Sequence, residues 1–152
     1  MAISPNVDFV SGAILTAAQQ NQFPRGVFAY NQTTTTDASI TSTEEVQITS
    51  SSFTAVANRY YRITYYDPQL SNPSATYFVG RIRKTNLAGT EIARSLSSVP
   101  AGGFAFANCV AVTTFTAGSQ VVVATLESTG TGSATRAATY PAFLVVEDIG
   151  PA

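Results

Sequence analysis

A chain of 152 residues has the length of one ordinary domain, enough to bury a proper core and too little for two comfortable ones. Only 11% of its residues are charged and the formal net charge is -1, so self-repulsion is weak and part of the surface is expected to be covered by copies of the chain or by a partner. With no histidine the commonest general base and metal ligand is missing and a Ser-His-Asp triad is excluded. The seven dispersed arginines and the single lysine, Lys84, are poor material for a nucleic-acid groove.

In chain order, "MAISPNVDF" has no basic n-region and no continuous apolar h-region, and no stretch approaches the roughly 18 apolar residues a membrane span needs. Neither a signal peptide nor membrane insertion is expected. Thr16 followed by Gln19 fits a capping box, and Ala17, Ala18, Gln19 and Gln20 favour a helix that Pro24 must end nearby. Such a helix, about two turns long, is unstable alone in water. Val7, Phe9, Val10, Ile14, Leu15 and Phe23 are too many apolar residues for a solvated tail, so this leader packs on something, its own domain or a neighbour.

From Gly26 onward the period changes to two. "GVFAY", "EVQITSSSFTAVA", "RYYRITYY", "ATYFVGRIRK", "TEIARS", "GGFAFANCVAVTTF", "SQVVVATLE" and "YPAFLVVEDIG" read as strands. The turn signals between them are "TTTTD", "DPQLSNPS", "NLAGT", "VPAGG", "TAGS" and "STGTGS". This order argues for an all-β antiparallel sandwich or barrel. In "RYYRITYY", Tyr61, Ile63 and Tyr65 share one face, and Tyr60, Arg62, Thr64 and Tyr66 the other. Rings on both faces make Tyr60, Arg62 and Tyr66 candidate contacts with another subunit, unless the outer tyrosines only raise strand propensity. Arg81 and Arg83 share a solvated or interfacial face. Cys109, the lone cysteine, reads as a small buried hydrophobe.

No chemistry stands out. Glu44 with Glu45, and Glu147 with Asp148, are adjacent residues that point to opposite sides of a strand and read as solvated strand ends. The glycines at 102, 103, 130 and 132 precede no Lys-Ser/Thr or helix and form no phosphate loop. No catalytic residue, metal site or cofactor is expected, and the chain is not expected to be an enzyme.

Two resemblances extend this reading. "FTAVANRYYRITYY" is similar to a strand pair of the C1q and tumour-necrosis-factor-like jelly rolls, in which a Phe-Thr strand turns into a Gly-x-Tyr-x-Phe type strand, with Asn58 standing where those families often have Gly. "AGSQVVVATLE" and "YPAFLVVEDIG" are similar to their last two strands. The likeness implies a jelly-roll β-sandwich over residues 26–152 that assembles as a homotrimer, with the aromatic face of the Tyr60 to Tyr66 strand near the threefold axis.

The leader "DFVSGAILTAAQQNQFPRGVFAY" resembles the N-terminal segment of small tailed-phage virion proteins. Phe9, Gly12, Leu15, Thr16, Ala17, Ala18, Asn21, Pro24, Arg25, Gly26 and Val27 match that pattern, and "LVVEDIGPA" is similar to the ending of minor structural proteins from phages of actinobacteria. The resemblance implies a virion protein assembled in the bacterial cytoplasm, without nucleic-acid or membrane partners. Residues 1–25 would form an arm docking through Val7, Phe9, Val10, Ile14, Leu15, Phe23 and Arg25 onto the phage major capsid protein. The alternative is a tail or receptor-binding module that meets host-surface glycans through Asn72, Tyr77 and Asn86. A leader that merely covers an edge of its own sheet is the other reading of the arm.

Overall fold

The computed structural model describes Gly12, Ile14, residues 16–74 and residues 76–152. One helical turn, α1 (Ala17–Gln20), precedes twelve strands: β1 (Gly26–Thr33), β2 (Asp37–Ile40), β3 (Glu45–Thr49), β4 (Phe53–Ala55), β5 (Arg59–Ser71), β6 (Thr76–Lys84), β7 (Glu91–Val99), β8 (Phe104–Thr114), β9 (Gly118–Gln120), β10 (Val122–Ser128), β11 (Gly132–Ala134) and β12 (Ala142–Pro151). The described chain is therefore nearly all β.

Every ladder is antiparallel. In the first sheet β1, β12, β5 and β8 lie side by side. The long β5 runs past the end of β12 and takes β11, then β2, on that same edge. The second sheet has the order β3-β10-β6-β7, and β4 and β9 make a short separate ladder. Tyr61, Ile63, Tyr65, Leu144 and Val146 from the first sheet face Ile48, Phe78, Ile82, Val122 and Leu126 from the second in one core. Burying each such side chain contributes about 1.5–3 kcal/mol against the entropy of ordering the chain.

Strand alternation is cleanest in β12, where Ala142, Leu144, Val146, Asp148 and Gly150 are buried and the residues between them are half-buried. In β8 the alternation has an unusual sense: Ala107, Cys109 and Ala111 point inward while Phe104, Phe106, Val110 and Val112 point outward. Close approach is the reason. A Cβ on Gly80 of β6 would lie 3.0 Å from Ser95 Oγ and 3.5 Å from the Ala107 Cβ, so at Ala107 the inner side of β8 has no room for a large side chain.

Several sequence expectations are amended by the fold. The leading helix is one turn rather than two, though its capping box is present, with Gln19 N donating to Thr16 Oγ1 (3.2 Å) and Thr16 N to Gln19 Oε1 (2.9 Å). "DPQLSNPS" turns only at Asn72, because a register shift between Asp67 and Leu70 lets Pro68 sit in the strand without breaking the ladder. "EVQITSSSFTAVA" divides into β3 and β4, and "SQVVVATLE" into β9 and β10. Ser50 bridges both divisions by accepting from Val122 N through its side chain (3.1 Å). Asn58 has φ +58°, the left-handed conformation that glycine adopts freely and asparagine tolerates.

Candidate functional site

The outer face of the first sheet carries the feature that needs explaining. Cross-strand register sets its side chains in rows: Gln32, Phe143, Tyr66 and Asn108; then Tyr30, Val145, Thr64 and Val110; then Val27, Glu147, Arg62 and Val112. Tyr60 lies beyond, between Gly150 and Thr114. Aromatic rings run across the strands, with centroids 6.4 Å apart for Tyr30 and Phe143, 5.5 Å for Phe143 and Tyr66, and 6.2 Å for Tyr66 and Phe106. These spacings are those of favourable ring pairs. Val27, Tyr30, Phe104, Phe106, Val110 and Val112 are each between 51% and 65% exposed.

Tyr60, Arg62 and Tyr66 all lie on this face, Tyr60 and Tyr66 half-buried and Arg62 exposed. The guanidinium of Arg62 donates to Glu147 at 2.9 Å, so the only charges in the three rows neutralise each other. Phe106, Val110, Val112, Phe143 and Tyr30 were not singled out from the sequence. The parity of "FAFANCVAV" held the signal, since placing Cys109 inward places Phe106 and Val110 outward.

The other charges are mostly neutralised within the molecule. Arg136 and Asp67, both buried, form an ion pair into which Tyr65 also donates its hydroxyl (2.9 Å), and Arg136 further donates to Thr35 O (3.1 Å) and Gln47 Oε1 (2.6 Å). Arg136 also lines a polar groove of about 400 Å³ with Thr33, Thr35, Asp37, Ser39 and Gln47, and its guanidinium is already engaged by Asp67, Thr35 and Gln47. On the outer face of the second sheet Arg81, Arg83 and Arg94 interleave with Glu44, Glu91 and Glu127. Hydrogen bonding to Glu127 raises Arg81, and hydrogen bonding to Glu44 raises Arg83. Burial alone would raise Glu44, but hydrogen bonds from Arg83 and Thr125 and the charge of Arg81 hold it below the usual carboxylate range. Glu44, expected at a solvated strand end, is thus part of an interlocked network. Asp148, likewise expected to be solvated, is buried against Arg59.

Cys109 is buried, and burial pushes its thiol up to about 11, which keeps it protonated and unreactive. Among the described residues no group of three or more Cys, Asp or Glu side chains comes together to hold a metal ion.

The three residues named as glycan contacts do not converge. Asn72 is buried, its side chain donating to Thr131 O and accepting from Ser74 N, both at 2.9 Å, which removes it from that role. Tyr77 is exposed at the start of β6. Asn86 follows the other end of the strand, on the order of 20 Å away at about 3.3 Å per residue, and its side chain accepts from Ala88 N. Of the arm, Val7, Phe9, Val10 and Leu15 lie outside the described residues. Ile14 is almost fully exposed, Phe23 partly so, and Arg25 is exposed with a contact to Asn21 Oδ1 (3.3 Å). Comparison with known protein families and with curated proteins gives no match.

Proposed function

We propose that this is a non-enzymatic structural subunit of a tailed-phage virion, a jelly-roll module that assembles as a homotrimer and decorates the capsid shell through its N-terminal arm. Strand pairing supports the jelly roll. Taking β1, β3, β5, β6, β7, β8, β10 and β12 as eight strands, the first pairs with the eighth, the second with the seventh, the third with the sixth and the fourth with the fifth. That is one long antiparallel hairpin rolled into two sheets, an architecture common among capsid and lectin domains.

The single observation that carries self-assembly is the apolar outer face of the first sheet. Four strands at about 4.8 Å and about eight residues at about 3.3 Å give a flat area on the order of 500 Å². Gln32, Thr64, Asn108, Arg62 and Glu147 share this area with the apolar side chains, and the whole face is most of the roughly 800 Å² per partner of a standard interface. A copy of the same chain is the fitting occupant, because the central charges are already paired and need no charged complement. The virion assignment rests on the resemblance of residues 8 to 30 to phage structural proteins. A tail or glycan-binding module has less support, since Asn72, Tyr77 and Asn86 do not form one surface.

Antibody-gold labelling of purified virions tests the reading. Label over the head is expected. Label confined to the tail overturns the capsid assignment, and unlabelled virions overturn the virion role.

A further inference from the structure

The leader is not uniform along its length. Arg59, at the start of β5, is buried and holds Asp148 of β12 through Nε and Nη2. Its remaining donors reach back to the leader: Nη1 donates to Asn21 O and Nη2 to Phe23 O, each at 2.6 Å. Asn21 is the C-cap of α1, where backbone carbonyls lack helical partners and carry partial negative charge. The planar fork of arginine suits this, meeting a carboxylate and two carbonyls at once in a way that a lysine ammonium does not. Asp148 is held from a third side by Gly150 N (2.9 Å), at the bulge where Gly150 takes φ +122°. The chain then returns to the same place, since Gly26 (φ +81°) is the β1 residue that pairs with Asp148.

Residues 21 to 26 therefore form a stitch that begins and ends at one buried ion pair. Residues 21–26 are exposed, as are Ile14, Thr16, Ala17 and Gln20; what sets residues 21–26 apart is the pair of hydrogen bonds from Arg59, whereas the capping box satisfies the helical turn from within its own residues. We infer that Arg59 fixes the point at which the arm leaves the body, so that residues 21–25 belong to the folded domain and the chain upstream of Asn21 is the docking element. The second half of this statement rests on the arm reading under the proposed function; the first half does not.

Brief proteinase K digestion of the full chain, mapped by intact mass, tests the clamp. Cleavage is expected before Asn21, leaving a resistant core that starts near that residue, because proteolysis requires local opening and the stitch opposes it. In Arg59→Lys, which keeps a positive charge beside Asp148 but loses the fork, the resistant core is expected to start at Gly26 or beyond. A wild-type core that already starts at Gly26 or beyond overturns the clamp, whether or not Arg59→Lys folds. So does an Arg59→Lys protein with an unchanged cleavage map. Co-sedimentation with purified phage particles then separates the two halves: the full chain is expected to bind and the wild-type core to lose binding at least tenfold. A core that binds like the full chain refutes docking through the upstream segment while leaving the clamp intact.

Discussion

Val110→Asp isolates the exposed face from the fold beneath it. Val110 points outward from β8 at 51% exposure, opposite Thr64, and is not part of the core. Covering a valine completely is worth about 1.5–3 kcal/mol, so covering the half still exposed is worth about 1 kcal/mol per copy. In the proposed trimer, three equivalent contacts make that about 3 kcal/mol, or roughly a hundredfold in the association constant, which is the loss expected for Val110→Ala. Aspartate adds the desolvation of an unpaired carboxylate, several kcal/mol in each copy, and is expected to leave monomer only. In the isolated subunit the same change costs at most about 1 kcal/mol of strand preference, a fall in Tm of a few degrees. Sedimentation equilibrium over a wide concentration range, with circular dichroism melts, reads both quantities. If Val110→Asp sediments as the wild-type oligomer with the same constant, the face is not where copies meet.

Other consequences follow from the internal charges. Removing the buried Arg136 guanidinium as Arg136→Met leaves Asp67 without its cation and is expected to cost about 3–5 kcal/mol, near 10 °C in Tm, whereas Asp67→Leu with Arg136→Met loses less; a single-variant loss under about 1 kcal/mol contradicts the pair's structural role. Burial, together with the neighbouring Asp37, pushes Glu45 above the ordinary carboxylate value. A carboxyl that holds its proton more tightly when folded loses stability as pH rises through that window, so Glu45→Gln is expected to stabilise the protein near neutral pH, with the gain vanishing below 4.5 in urea titrations. Glu44 has the opposite sign: its depressed value contributes stability above 4.5 that is lost as pH falls through the folded pKa. Glu44→Gln should therefore flatten the acid limb of the same titration. Because the face is largely apolar and Arg62 is already paired with Glu147, the proposed oligomer is expected to survive about 1 M salt, where surface charge attraction is screened within about 3 Å; dissociation by salt alone would point to an electrostatic interface instead.

Much of the fold was readable from local alternation. "RYYRITYY" divides into faces as its period dictates, with Tyr61, Ile63 and Tyr65 fully buried, and the all-β class follows from many such runs. What was missed depended on partners distant in the chain. The row Tyr30, Val145, Thr64 and Val110 joins four strands whose register no local pattern encodes, so the sequence showed candidate contacts on β5 but not the continuous face around them. Two further differences concern polar residues that local position alone leaves on the surface. Asp148 reads as a strand-end acid from its place in the sequence, yet its parity is that of Leu144 and Val146, which carries it into the interior where Arg59 meets it. Asn72 reads as an accessible loop amide, yet it is buried with its side chain bonded to the backbone of Thr131 and Ser74, partners that no local pattern reveals.

The mass of the intact, undenatured protein in solution tests the central claim most directly. Three copies per particle, falling to one in Val110→Asp, is the result expected of a subunit whose first sheet is covered by its neighbours. A wild-type protein that remains a single chain at every concentration would contradict it.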